Sequence, residues 1–323
     1  MESGVDRHGD ESPPSHPYQE DHHMQYDEAV EAFFIQTPEG TVPEPTRQAS
    51  VARRLRDAIE PIAMHPVWSR HNNEAMAGLG LDFFSGYAWG RAAALGEPAP
   101  AVVVSSFAVF EPSLIAGVYE AGRAACGRDQ VLSTRFEATT ASLAGVLDGV
   151  DVSGAGARLR DAALGMDQSG RPLYAGLAEI PLSDDPVETL WRSAEMIREH
   201  RGDSHIAACV AEGLDPIAMS VLTELWVGFP LGEDSCTRGG APEAIEACAD
   251  RLRVAGLLNG DQLSASGQAL RDRIEAATDR AQDQLVAGLG DDVDGLVADL
   301  ASWSERCVAA SAFPPNAYKR AAG

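Results

Sequence analysis

The chain has 323 residues, with 49 Asp and Glu against 25 Lys and Arg, a formal net charge of −24 and a sequence pI of about 4.6. A protein this acidic is repelled by phosphate backbones and anionic lipid, so duplex DNA and membranes are not expected partners. Hydrophobic residues make up 45%. That suffices for a packed core, and at about 150 residues per domain the length allows one large or two ordinary domains.

The only lysine is Lys319, so nearly all positive charge is arginine. We read that skew as a coding bias. The first residues are polar and acidic, unlike the basic-then-apolar order of an export signal. The most apolar window, Pro98 to Phe110, is far shorter than a bilayer span needs. Cys126, Cys209, Cys236, Cys248 and Cys307 are odd in number and widely spaced, with no C-x-x-C. They read as reduced thiols of a cytoplasmic protein.

Residues 1–48 read as a disordered acidic tail with too little apolar surface to offset the entropy of ordering. Within it, Ala29 to Ile35 has room for one short helix. His22-His23 reads as solvated. From Val51 the pattern turns helical, with Val51, Leu55, Ile59 and Ile62 on one face and Pro61 limiting the end. Asp82 is placed to cap a helix running to Leu95, with Gly96 just beyond it. Further helices fit Ala101–Phe110, Ser113–Ala125, Gln130–Leu147 and Ala155–Met166. Val102–Val104 is a β-branched run whose flanks also suit a buried helix.

In the second half, a helix carrying Leu190, Trp191 and Ile197 ends near His200. Gly202 is its expected stop, and Asp203 the expected cap of the next helix, up to Gly213. Asp215-Pro216 opens another helix, and Pro242 another, closed by Gly256. Asn259-Gly260 between apolar pairs predicts a hairpin. Ser264 or Ser266 caps a long helix through Leu285, and a last helix runs from about Asp292 to Val308. The expected fold is mainly α: a helical domain at 49–185, a winged-helix-like domain at 186–310 with a small β-hairpin wing, and a short tail at 311–323.

The wing, Leu257 to Leu263, holds Asp261 and no basic residue. Across Val187 to Asp283, 17 acidic residues stand against 9 arginines. A DNA-reading wing usually brings Arg or Lys to phosphates. The shape therefore reads as a packing or dimerisation module, with Arg251 and Arg253 on a solvated helix face. A homodimer fits that reading.

Candidate chemistry centres on Arg198-Glu199-His200-Arg201-Gly202-Asp203-Ser204-His205, six ionisable side chains in eight residues. One reading is a base, a cation and a carboxylate converging at a helix end, with His200, His205 and Asp203 as acid–base candidates and Arg201 holding a ligand. The other is helix capping alone, which leaves His205 unexplained. His65 folding back would bring a third histidine, a set able to ligate a metal. No H-E-x-x-H supports this, and no cofactor is identified. Tyr87 and Arg91, in G-Y-A-W-G-R, line either a pocket or a core helix. No P-loop, dinucleotide-binding glycine motif or G-x-S-x-G elbow is present.

Three stretches carry a family resemblance: F-S-G-Y-A-W-G-R-A-A-A-L-G (84–96), L-W-R-S-A-E-M-I-R-E-H-R-G-D-S-H-I-A-A-C-V (190–210) and S-G-Q-A-L-R-D-R-I-E-A-A-T-D-R (266–280). Together the chain resembles an actinobacterial helix-turn-helix family, with a MarR-like winged-helix C-terminal half, over residues 53–310. The resemblance implies a helical half followed by a winged-helix half, and no established reaction. His65, Arg91, His200, Arg201, Asp203 and His205 match positions typical of that family. Glu111-Pro112 and Gly240-Ala241-Pro242 depart from it. The expected function is small-molecule binding in a His/Arg/Asp-lined pocket, as in a ligand-responsive regulator. The alternatives are an enzyme working through His200, His205 and Asp203, and a DNA-binding regulator.

Overall fold

The structure is a computed structural model that describes residues 24–47 and 49–322. Helix α1 (Tyr26–Phe33) precedes α2 (Val51–Ala63), α3 (His65–Trp68) and α4 (Arg70–Ala77). Then come α5 (Phe83–Ala92), α6 (Pro100–Ser106), α7 (Pro112–Ala125), α8 (Arg128–Val146), α9 (Ser153–Leu164) and α10 (Pro172–Ala178). The long α11 (Pro186–Ala211) leads to α12 (Pro216–Val227), α13 (Pro242–Val254), strands β1 (Leu258–Asn259) and β2 (Gln262–Leu263), and α14 (Ala265–Arg280). Helices α15 (Asp283–Gly288), α16 (Val293–Ala309) and α17 (Ala317–Ala322) follow. The protein is mainly helical, and the hairpin is the one sheet among the described residues. The Val102–Val104 run is helical, inside α6.

Local chemistry explains many of the boundaries. Asp82 accepts from Ser85 N at 2.7 Å while the Ser85 hydroxyl accepts from Asp82 N, a closed capping box. Asp215 accepts from Ala218 N at 2.8 Å, with Pro216 at the first helical position. Ser264 caps α14 through Gly267 N at 3.1 Å. In the hairpin Leu258 pairs with Leu263 and Asn259 with Gln262. The turn is therefore Gly260-Asp261, with Gly260 at φ 60°, a conformation glycine adopts without strain.

Three apolar clusters organise the chain. One joins α2, α8, α9, α11 and α16 around Ile59, Leu143, Leu159, Trp191 and Leu300. A second gathers α1 and α3–α8 around Trp68, Phe83, Trp89 and Tyr119. The third holds α12, α13, the hairpin and α14 together around Leu222, Ile245, Cys248 and Ile274. No single described helix is long and apolar enough to cross a membrane.

Three expectations need correction. Helix α11 does not stop at Gly202; it runs 26 residues without a break. Glycine inside a helix costs about 1 kcal/mol relative to alanine. Burial on both sides outweighs that: Leu190, Trp191 and Ile197 sit in the first cluster and Cys209 in the third. Residues 24–47 are not a loose tail. Met24, Ala29 and Phe33 are buried, Phe33 lies 5.3 Å from Trp68 ring to ring, and Phe83 N donates to Met24 O at 2.8 Å. Residues 1–23, with the histidines placed there, lie outside the described residues. Finally, 186 is no clean boundary and 311–322 no free tail. Helix α16 returns to pack on α2, Phe313 is buried, and Arg53 Nη2 donates to Ala321 O at 2.6 Å. Periodicity reports which face of a helix is buried and is silent on what covers it.

Candidate functional site

A cavity of about 180 Å³ is lined by residues of α2, α5, α11, α12 and α14. One face of α11 forms its floor. Glu199, Gly202, Asp203 and Ile206 follow one another there, a stretch of about 10 Å at 1.5 Å per residue. A methyl group on Gly202 would meet nothing closer than Glu199 Oε2 at 3.9 Å, so the missing side chain leaves open space above the floor. Aromatic rings form a wall: Tyr87 lies 6.0 Å from Phe107 and 5.7 Å from Phe110. Trp68, Phe83 and Phe84 extend it, and Trp226 stands on the α12–α14 side.

This interior is rich in cations although the chain is strongly acidic. Arg53, Arg56, Arg91, Arg198 and Arg201 line it, with Arg238, Arg271 and Lys319. Seven of these eight are paired. Glu60 meets Arg198 at 3.1 Å and Arg56 at 3.4 Å, and Glu199 meets Arg91 at 2.6 Å and Arg198 at 2.9 Å. Glu275 and Asp279 hold Arg201 at 2.5 and 3.0 Å, while Asp57 and Glu275 hold Arg53 at 3.1 and 3.3 Å. Asp234 takes Arg238 at 3.0 Å and Lys319 at 2.7 Å.

Arg271 is the exception. Among the described residues no carboxylate is in ion-pair contact with it, the Glu275 charge acting on it from farther off, and its Nε and Nη1 have no hydrogen-bond partner although the residue is only 2% exposed. Its guanidinium lies 4.4 Å from the centre of the Trp226 ring. Burying an unpaired charge costs several kcal/mol, and a cation–π contact returns at most about 2 kcal/mol of that.

The electrostatics sort the candidate residues. Burial pushes the Asp203 carboxyl up to about 7, and the Glu199 charge adds to the effect. Asp203 Oδ2 accepts from Tyr174 N at 3.1 Å, in the first turn of α10. Asp203 therefore caps a helix distant in sequence, where it was expected to cap its own. Burial, aided by the Arg271 charge, lowers His205 to about 3, and its Nδ1 lies 3.3 Å from Thr278 Oγ1. Burial opposes ionisation of Glu275, yet Arg201, Arg53 and Arg271 hold it at about 2.

Tyr87, Arg91, Arg201, Asp203 and His205 surround this cavity. His200 and His65 do not join them. Gln282 Nε2 donates to His200 Nδ1 at 2.9 Å, and the imidazole stands edge-on to Tyr174 at 4.9 Å. Burial, then the Arg171 charge, lowers His200 to about 4. His65 is fully buried with Nε2 2.9 Å from Ser142 Oγ, and burial lowers it to about 4 as well. The three-histidine convergence does not form, and no group of metal-ligating residues is arranged to hold an ion among the described residues. The reason is geometric. Five residues apart on an unbroken helix, His200 and His205 point about 140° away from each other; their convergence required a chain reversal at Gly202.

Arg53, Arg56, Glu60, Arg271 and Glu275 escaped the sequence reading. Their signal was faint: Arg271 falls among the buried positions Gly267, Leu270, Ile274 and Thr278 of α14. An arginine inside an apolar stripe reads the same whether it snorkels to water or stays buried.

The architecture and the cavity define a helical protein in which a compact α12–α13–hairpin–α14 unit shares its long lead helix with a larger body. The chain belongs to a helix-turn-helix family, whose sequence profile matches residues 52–314. No curated protein and no solved structure is detectably similar to it.

Proposed function

We propose that this helix-turn-helix protein binds a small molecule in the cavity over α11 and acts as a ligand-responsive regulator in the cytoplasm. The observation that carries this reading is the position of the cavity between the two parts of the fold. Arg53, Tyr87 and Arg91 reach it from the body, Trp226 and Arg271 from the α12–α14 unit. A ligand there touches both parts at once. Any difference in its affinity for two arrangements of that junction biases the equilibrium between them. The five cysteines are free and buried, in keeping with a reducing compartment.

We read the α12–α14 unit, hairpin included, as a winged helix that meets protein and not duplex DNA, a second copy of the chain being one such partner. Arg251 of α13 is taken by Asp215 at 2.6 Å, and Arg253 by Glu246, Asp250 and Asp261, each at 2.7 Å. These are the arginines that would meet phosphate, and carboxylates already occupy them.

A second reading, acid–base catalysis, retains one observation in its favour. Asp203 faces the cavity with a carboxyl poised near neutrality, as a general acid or base needs. His200 is turned away and His205 stays neutral, so a catalytic role narrows to Asp203.

Native mass spectrometry and an absorbance scan of protein purified from its own host test the main reading, with calorimetry against a small-molecule library. A stoichiometric ligand whose binding is lost in cavity variants is the expected result. An empty protein that no library member stabilises would reject the reading. A nanomolar gel shift on its own upstream DNA at physiological salt would restore the DNA-binding alternative.

A further inference from the structure

We propose that the ligand is a small aromatic organic anion carrying one negative charge, its carboxylate or equivalent oxyanion paired with Arg271 and its ring held over Gly202 against the aromatic wall. This rests on the ligand-binding reading above and names the chemistry of that site.

Charge sets the first part. Among the described residues, seven of the eight cations around the cavity are ion-paired, with Glu60, Glu199, Glu275, Asp57, Asp234 and Asp279. The cation left over is Arg271, whose Nε and Nη1 have no partner. Arg271 lines the cavity without a carboxylate in ion-pair contact, and a ligand oxyanion there would supply the missing counter-charge through a charge-assisted hydrogen bond. A single unpaired cation matches a single negative charge. A second charge on the ligand would face the ionised Glu199 and Glu275.

Size and surface set the second part. A cavity of 150 Å³ admits benzene, and this one measures about 180 Å³. It suits one ring or two fused rings with a short acidic arm, and is too small for a dinucleotide or a tetrapyrrole. Tyr87, Phe107 and Phe110 already meet at ring distances of 5.7–6.4 Å, and Trp226 stacks on Arg271. A further ring fits among these at the same spacing. Gly202 provides the room, since any side chain there would project into the ligand's space.

Calorimetry on the full chain tests this with matched probes: benzoate, phenylacetate, 1-naphthoate and indole-3-acetate, each beside its primary amide. At least one acid is expected to bind ten-fold or more tightly than its amide. Arg271→Gln should reduce that acid to the affinity of its amide while leaving the amide unchanged. Arg271→Lys, which keeps the charge and loses the planar guanidinium, should fall between. Gly202→Met should abolish binding of both, with unchanged helical circular dichroism. Equal affinity for acid and amide, or full binding by a folded Arg271→Gln variant, overturns the anion assignment. Capture of a neutral compound in place of every acid overturns it too, and leaves the ligand-binding reading standing. Binding of no probe and no library member removes both.

Discussion

Two regions of this molecule use the same residues to opposite ends. On the outer face of α13, Arg253 is ringed by Glu246, Asp250 and Asp261, and Arg251 by Asp215. Each cation there is neutralised in water, where an ion pair is worth little. In the cavity, arginines and carboxylates are buried and interlocked, and Arg271 is left without an acid. The difference teaches that a cation's role follows from what its neighbours leave unsatisfied and how much water can reach it. The surface arginines are spent on local pairs. The buried one still has bonding capacity, in a setting where a bond is strong.

The contrast is sharpest when an acid is removed from each side. Glu199→Ala strips the carboxylate that Arg91 and Arg198 share, at 2.6 and 2.9 Å, inside the protein. Breaking a buried pair leaves uncompensated charge and should cost about 3–5 kcal/mol in urea unfolding. A loss below 1 kcal/mol would mean that water reaches this network, and the contrast between buried and exposed regions would collapse.

Acid should act next most strongly. Burial holds His65 and His200 at about 4 and His205 at about 3, below the ordinary histidine value of 6.5. The unfolded chain takes up these protons as pH falls through 6.5 and the folded chain does not, so stability drops between pH 6.5 and 4. Asp203, raised to about 7, works in the opposite direction, losing stability as pH rises from about 4 to 7. Three groups outweigh one. Moving from pH 7 to pH 5 should therefore cost about 3 kcal/mol, measured by urea titration, and His205→Gln should reduce the drop. A flat profile would show that the histidines are solvated.

Much of the fold was legible because short-range chemistry writes it locally. Asp82, Asp215-Pro216, Ser264 and the Asn259-Gly260 pair each announce a boundary within a few residues. The site was legible only in part. Tyr87, Arg91, Arg201, Asp203 and His205 were found as polar or aromatic residues at dense or unusual spacing, and all five face the cavity. His200 was misplaced because Gly202 reads as a helix stop, and only the burial of both ends of α11 keeps the helix going; His65 was misplaced because its partner, Ser142, lies far along the chain. Arg271 was missed because what distinguishes it is the lack of a partner from elsewhere in the chain. Absence of a distant acid leaves no trace in local sequence. The buried α1 was underestimated for a related reason: three apolar residues in an acidic segment gain their value from Trp68 and Phe83, far along the chain.

Gly202 links the misreading to the function. Its place in the middle of α11 is unfavourable for the helix and favourable for an open floor. Gly202→Ala should stabilise the ligand-free protein by about 0.5–1 kcal/mol, since the added methyl meets only Glu199 Oε2 at 3.9 Å. Thermal melts would check this. A destabilised alanine variant would show that the space above the floor is closed.

The smallest effect is expected on the outer face, and it separates the two regions from the other side. Neutralising the acids around Arg253, as Glu246→Gln, Asp250→Asn and Asp261→Asn together, should leave the melting temperature unchanged, because exposed pairs add little to stability. Its effect should appear in binding. Arg253 at the end of α13 and a hairpin free of negative charge would then face solvent, the arrangement that engages phosphates. Gel shifts at low salt should show weak, sequence-independent DNA binding by the triple variant and none by the parent, with the binding lost as salt rises. If the parent already binds as tightly as the variant, the carboxylates do not silence these arginines, and the outer face and the cavity are not the opposites described above.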